Sequence, residues 1–349
     1  MKALLLKQPG PNPRLTVTDL PPPTFGNSEV LVQVMACGFC HHDLLVMNGA
    51  LRRGIQTPLI PGHEIAGIVA QVGRHVTSTR PGDHVVCLLT DACGRCNWCS
   101  QDLERLCPDG QAIGHGMKGG MAQLIALRES ALVKIPSDFL WPQACLLACP
   151  IGVAVKAVEK ARIQRGETVL VTGASGGLGA HLIQLANLRG ARVLAVTSNE
   201  RKTAPLEALG AAEVIPTGEL DFSEIVLALT QDRGADVALD TVGSPLFPQT
   251  LRSLAPAGRL VLLGEVARSS TSLHLPEIIF RELQLIGSVG ASRRHVEQAA
   301  RLVSQGQIRP VISRLLPWNQ VNDAYELLKQ RRSVGRIILD FAPAHSAET

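Results

Sequence analysis

The sequence predicts an α/β protein with two domains, one β-rich and one built on a doubly wound parallel sheet. Three observations predict it. Up to about Ile135 the chain is rich in Gly, Pro and short alternating apolar runs. From about Val153 to Ser288 strand-like and helix-like stretches alternate, which implies parallel βαβ units. Beyond that the character is mixed again. The expected division is 1–152 with 289–349 for the first domain and 153–288 for the second. A length of 349 residues agrees with two domains at about 150 residues each.

The elements follow in order. Alternation after Lys2 reads as a first strand, and Pro21-Pro22-Pro23 as a turn or linker. Residues 29–34 and 67–72 have the alternation of half-buried strands. Residues 168–172 form a buried strand. A glycine cluster follows, then a helix over 180–188 with Gly190 as its cap. The spacing predicts a strand at 192–197 and a helix at 200–209 closed by Gly210. Further strands fall at 236–240, 259–263 and 283–287. Residues 295–304 and 322–329 read as helices, 335–340 as a last strand, and 341–349 as a frayed end.

Composition excludes several classes. Apolar residues make up 46% and charged residues 18%, so bulk disorder is excluded. The net charge of +4 is too small and scattered for a nucleic-acid footprint. No stretch spans a membrane: 168–188 is uncharged but broken by glycines, and 139–155 is broken by Pro142 and Pro150. The apolar run at the N-terminus is too short for a signal peptide. A cytoplasmic location is therefore expected, where nine cysteines point to metal ligation or catalysis rather than disulfides.

Cys93-x2-Cys96-x2-Cys99-x7-Cys107 places four thiolates on one loop, enough to wrap a tetrahedral zinc, with Gly94 easing the turn. Iron–sulfur runs also end in Cys-Pro, and Pro108 follows Cys107. But seven residues precede the last cysteine here rather than three, and the second cluster such a run shares is missing. A four-sulfur site has no open position and is read as structural. Cys40, His63 and Cys149 form a second constellation of two thiolates and an imidazole, which leaves a fourth position for water or substrate. In the third, Gly173-Ala174-Ser175-Gly176-Gly177-Leu178-Gly179 sits between a strand and a helix. Backbone amides there can approach a pyrophosphate at the helix N-terminus.

These motifs resemble the zinc-containing medium-chain alcohol dehydrogenase family along nearly the whole chain. Gly62-His63-Glu64-x2-Gly67-x5-Gly73-x2-Val76 matches its zinc signature, and the four-cysteine lobe matches its structural zinc loop. Residues 234–243 and 258–264 match its cofactor-domain strands. The resemblance implies a β-rich GroES-like catalytic, zinc-binding domain plus a doubly wound Rossmann dinucleotide-binding domain. It implies that Cys40, His63 and Cys149 bind a catalytic zinc, with Glu64 behind it as an alternative ligand. Asp43 is then expected to accept a hydrogen bond from His63 and orient it. His41 occupies the place of a basic residue against the cofactor pyrophosphate. Two zinc ions per chain follow, and a homodimer or homotetramer formed through the edge at 283–290.

Two positions depart from the family. His42 replaces the usual Ser or Thr that passes the alcohol proton, and Leu45 stands where a histidine often ends that relay. Two roles are open to His42: carrying the proton itself, or only shaping the pocket. Cofactor choice is read from the end of the second cofactor strand. Thr197 stands where an NAD site usually places an acidic residue, about 20 residues past the glycine loop. Ser198, Arg201 and Lys202 can contact a 2′-phosphate, so NADP(H) is favoured over NAD(H).

The leading expectation is a zinc-dependent oxidoreductase that transfers hydride between a nicotinamide cofactor and a small-molecule alcohol or carbonyl. The alternative is an NADPH-dependent reductase of activated C=C bonds: enone, quinone or enoyl-thioester. Related branches share the glycine loop, and the altered relay suits a different proton donor. A non-enzymatic zinc and nucleotide-binding protein is the third reading, opposed by the intact ligands of both metal sets.

Overall fold

The structure is a computed structural model and describes residues 1–51, 53–217, 221–267 and 269–343. The expected first strand, β1 (Lys2–Leu6), pairs antiparallel with β2 (Leu15–Asp19). β3 (Glu29–Phe39) runs past residue 34 because its second half is buried throughout and loses the polar alternation that marked its start. α1 (His41–Met47) follows directly, and β4 (Glu64–Val72) begins two residues after Gly62. β5 (His84–Cys87), the short pair β6 (Thr90–Asp91) and β7 (Gln111–Ala112), β8 (Leu124–Arg128) and β9 (Leu132–Lys134) complete this part. α2 (Trp141–Ala144) and α3 (Val153–Ala161) lead out of it.

The second part alternates as expected. Its strands are β10 (Thr168–Thr172), β11 (Arg192–Thr197), β12 (Glu213–Pro216), β13 (Ala235–Asp240), β14 (Leu254–Leu262) and β15 (Gln284–Gly287). Between them lie α4 (Gly177–Leu188), α5 (Thr203–Glu207), α6 (Phe222–Leu229), α7 (Phe247–Arg252) and α8 (Leu275–Phe280). All six strands are parallel, in the order β12-β11-β10-β13-β14-β15. The chain leaves β12 at one edge and re-enters on the other side of β10. That reversal opens a crevice beyond the C-terminal ends of β10 and β13, where doubly wound sheets bind ligands.

The tail is α9 (Arg293–Ser304), β16 (Ile312–Pro317), α10 (Val321–Lys329) and β17 (Arg336–Asp340). β17 pairs antiparallel with β3, so the end of the chain completes the sheet begun near its start. The order is β16-β17-β3-β4-β5-β9, with β8 also on β3.

Four expectations need correction. The helix after the glycine cluster starts at Gly177, not 180, since Gly176 caps it and the glycines form its first turn. The helix expected over 200–209 splits into a tight turn at Glu200–Lys202 and then α5. Pro205 has no N–H to offer the Arg201 carbonyl, so one continuous helix cannot form. The strand expected at 259–263 begins at Leu254, with a register shift against β13 that admits the extra residues. Residue 341 is not frayed. Phe341 is buried, its N–H donates to the Met35 carbonyl at 3.0 Å, and its ring stacks on Trp318 at 5.5 Å. Residues 344–349 of that expectation lie outside the described residues. Among the described residues no helix is long and apolar enough to cross a membrane.

Candidate active site and metal centres

Cys40, His63, Glu64 and Cys149 each place one ligand atom within 4.8 Å of the others. Three separate pieces of local structure bring them there. Cys40 is the residue that caps α1, and Asp43 Oδ2 accepts its backbone N–H at 2.8 Å, closing the first turn. His63 and Glu64 enter β4 straight after Gly62, whose φ of +95° only glycine adopts freely. Cys149 has extended dihedrals (φ −128°, ψ 124°) inside the otherwise helical turn 147–152.

The electrostatics favour a cation. A hydrogen bond from the Cys149 thiol holds Cys40 well below its usual range, with Arg336 and His63 assisting. Glu64 is fully buried, and burial pushes its carboxyl up to about 8 against the pull of Arg336. Glu64 Oε2 has no hydrogen-bond partner among the described residues. Two sulfurs, an imidazole and a buried carboxylate in this spacing fit zinc. The Asp43 expectation is met only in part. Its Oδ1 lies 3.4 Å from His63 Nδ1, a close pair. Yet His63 Nδ1 makes no aligned hydrogen bond, and the bonds Asp43 does accept come from the backbone of Cys40 and Gly62.

Cys93, Cys96, Cys99 and Cys107 likewise converge within 4.8 Å. Cys96 and Cys99 sulfurs are 3.5 Å apart, and Cys107 Sγ accepts the Cys93 N–H at 3.4 Å. Backbone N–H groups of Arg95 and Cys96 pull the Cys93 thiol down to about 6. A donor set of four sulfurs fits a closed tetrahedral zinc.

The glycine loop sits at the mouth of the crevice. A Cβ on Gly173 would lie 2.3 Å from Thr241 Oγ1, and one on Gly179 would lie 2.4 Å from the Gly173 carbonyl. Only glycine allows this turn and this close packing of α4. Gly176 and Gly177 form the end of α4, with Leu178 half-buried behind them. Ser175 is buried, and its hydroxyl accepts from Lys202 Nζ at 3.0 Å. Thr197 closes β11, buried, its hydroxyl without a partner among the described residues. Ser198 is exposed and lies 3.5 Å from Lys202 Nζ. Arg201 is exposed, and its backbone N–H is engaged by Asn199. Of the two cations expected here, it is therefore Lys202 that turns onto the loop.

His41 is half-buried at the start of α1, with Nε2 unpartnered among the described residues. The His42 ring meets His63 edge-on at 5.2 Å and lies 5.2 Å from the ring of His115. Burial, first of all, pushes His42 down to about 4. His115 carried no role in the sequence reading, because nothing local to it signals a pocket.

Arg336 was missed as well. It is 6% exposed, and it pairs with Glu64 Oε1 at 3.0 Å. A Cβ on Gly177 would lie 2.6 Å from its Cζ, so the guanidinium rests on the glycine loop. It thus joins the carboxylate of one metal set to the loop of the other sheet. A single arginine opening a strand gives no sequence signal of this.

The comparisons with known proteins fall on this geometry. Residues 26–137 match the alcohol dehydrogenase GroES-like domain, and residues 177–305 match the zinc-binding dehydrogenase domain. An acryloyl-coenzyme A reductase of Metallosphaera sedula is 34% identical over 340 residues, covering 97% of this chain and 99% of that protein. The chain belongs to the zinc-containing medium-chain alcohol dehydrogenase family. An alcohol dehydrogenase of Geobacillus stearothermophilus is 28% identical, covering 93% of this chain and 96% of the relative. The crystal structure of the Aeropyrum pernix alcohol dehydrogenase superposes with a TM-score of 0.91 at 28% identity, covering 97% and 100% of the two chains. The crystal structure of AibC gives 0.89 at 38% identity, covering 97% and 95%. As a member of this family the chain is an oxidoreductase, with a GroES-like domain around β3 and β4 and a Rossmann domain around β10.

Proposed function

We propose that the protein is a zinc-dependent, NADP(H)-linked oxidoreductase acting on an alcohol or carbonyl substrate. The observation that carries this is the convergence of Cys40, His63, Glu64 and Cys149 within 4.8 Å, a donor set suited to a catalytic zinc. When bound, zinc would supply a Lewis acid for a carbonyl oxygen, and the reduced nicotinamide would supply hydride. The chain's own residues do the rest. Asp43 anchors the Cys40 backbone and faces His63. Arg336 holds Glu64. The amides of Ser175 to Gly179 would hold the pyrophosphate, and His41 is assigned to the same group. His42 is assigned to shaping the pocket, because its ring is packed between His63 and His115.

Cys93, Cys96, Cys99 and Cys107 are assigned to a second, structural zinc. Lys202 and Ser198, with no carboxylate at Thr197, favour NADP(H), and Arg201 is left with a minor part. The domain limits are 1–152 with 289–349 and 153–288. β15 is the outer strand of its sheet, and exposed Ile279, Phe280 and Val289 lie next to it in sequence. This supports a homodimer through that edge, alone or as half of a tetramer. All nine cysteines are free thiols, which fits a reducing cytoplasm.

A second reading, reduction of a C=C bond in an enoyl thioester, is favoured by one observation. The acryloyl-coenzyme A reductases, at 34% and 32% identity, are more similar to this chain than the Geobacillus alcohol dehydrogenase at 28%. A panel of aldehydes, ketones, enones and enoyl thioesters, each with NADPH and NADH, tests both. Alcohol products are expected. Saturated thioesters with the carbonyl retained would move the assignment to the second reading. Turnover with neither class would sink both.

A further inference from the structure

We propose that Arg294 is a positioning residue that braces the four-cysteine lobe against both chain crossings between the domains, so that the metal of that lobe helps to fix the cofactor cleft. This rests on the structural zinc assigned above to Cys93, Cys96, Cys99 and Cys107 and on the domain limits, and it gives that zinc a part beyond stability.

With those limits the chain crosses between the domains twice, at 152–153 and at 288–289. α3 begins at the first crossing, and its polar face grips the second. Lys156 is 7% exposed, and its Nζ donates to the Val289 carbonyl at 3.3 Å and lies 3.5 Å from the Asp102 carbonyl. One turn on, on the same face, Lys160 Nζ donates to the Gly287 carbonyl at 2.8 Å. A buried ammonium needs its donors filled. Lys156 therefore fixes where the second crossing and the metal lobe lie against α3.

Arg294 makes the third tie. It stands in the first turn of α9, just past the second crossing. Its Nε donates to Asp102 Oδ2 at 2.5 Å, and Nη1 and Nη2 donate to Glu159 Oε2 and Oε1 at 2.7 and 2.6 Å. One planar fork is thus shared by a carboxylate of the lobe and a carboxylate of α3, one from each domain, a geometry that lysine cannot reproduce. Arg294 is 49% exposed, and ion pairs at that exposure add little to stability. Their consequence here is orientation, because the lobe, α3 and the second crossing meet at one point.

Asp102 is where the metal enters. It lies three residues past Cys99, and its N–H donates to the Cys99 carbonyl at 3.3 Å across the tight turn Cys99–Gln101. Its φ of +61° is left-handed, a conformation that is costly for a residue with a Cβ. Closure of the loop around four sulfurs holds it there. Without the metal the turn relaxes, and Asp102 leaves both Arg294 and Lys156. The two crossings then lose their common anchor. A cleft that is less preorganised must be ordered by the cofactor itself, at a cost in affinity.

The test is cofactor binding, read by fluorescence titration of the zinc-loaded protein with NADPH and with NADH, together with hydrogen exchange over residues 153–161 and 287–294. Arg294→Ala should weaken both cofactors about tenfold and by the same factor, and both segments should exchange faster. Cys96→Ser should do the same, and the double variant should be no weaker than either single one, because the two changes break one contact. Should Arg294→Ala fail to fold, Asp102→Asn takes its place, since it keeps the backbone. Dissociation constants that stay unchanged or tighten would overturn the brace. So would an equal loss in Arg252→Ala, which breaks only the ion pair with Asp221 between α6 and α7. If Cys96→Ser loses its zinc yet binds both cofactors like the wild type, the metal assignment stands and the brace falls. If the wild type carries no zinc on this loop, the assignment fails and the brace with it.

Discussion

Cys40 and Cys149 reach the same point from opposite sides, one from the cap of α1 and one from an extended residue inside a helical turn. The first turn of α1 keeps a cap without the Cys40 sulfur, since Asp43 accepts the Cys40 backbone N–H at 2.8 Å. Cys40→Ala and Cys149→Ala should therefore each lose one zinc per chain and all turnover while retaining near-native circular dichroism. Cys96→Ser should lose the other zinc and lower the melting temperature, because a metal held by four sulfurs of one loop contributes its binding energy to folding. Metal analysis of the purified variants checks both, and a wild type with one zinc or none would refute the two-site assignment.

At the scale of elements, α4 carries more than the glycine loop. His181 is fully buried on it. Its Nδ1 lies 2.6 Å from the Gly177 carbonyl, and its Nε2 accepts the Val311 N–H at 3.1 Å. Those partners require the neutral ring protonated at Nδ1. Burial pushes its pKa down to about 4, with Arg336 nearby acting in the same sense. The unfolded chain takes up a proton near pH 6.5, before the native one does, so stability falls as pH drops from about 6.5 to about 4. His181 alone accounts for a loss on the order of 3 kcal/mol across that window. His295, pushed down to about 4 mainly by burial, adds to it in the same direction. Urea unfolding against pH reads this. His181→Asn should be weaker at pH 7 and show a shallower fall below 6.5. A slope matching the wild type would assign the acid sensitivity elsewhere.

For the whole molecule, one group of exposed apolar side chains, Leu273, Leu275, Ile279, Phe280 and Val289, flanks β15 in the chain. Phe280 is 85% exposed and Val289 58%, on either side of β15 in the chain. A charge there cannot be buried without a partner. Val289→Lys should shift the protein toward monomer in sedimentation velocity, with the zinc content unchanged. An unaltered oligomer would place the interface on another face.

Much of this was legible in the sequence. The alternation of strands and helices over 153–288 specified a parallel sheet, because each apolar strand needed a helix to return the chain. The spacing of four cysteines on one loop specified the second metal set, because close neighbours in sequence must meet in space. The glycine loop was legible because only glycine permits its turn. The catalytic set was not legible from spacing: Cys40, His63 and Cys149 lie on distant segments, grouped by their donor chemistry and given their roles by resemblance to the family. Arg336 and His115 gave no signal at all. Their neighbours come from other elements, brought close when β17 closes against β3 and its first residues land on the glycine loop. Local pattern determines which segments form, since backbone and side-chain preferences act over a few residues. Which charges face one another across the cleft is decided by tertiary packing, because electrostatic pairing depends on distance in space and not on separation along the chain.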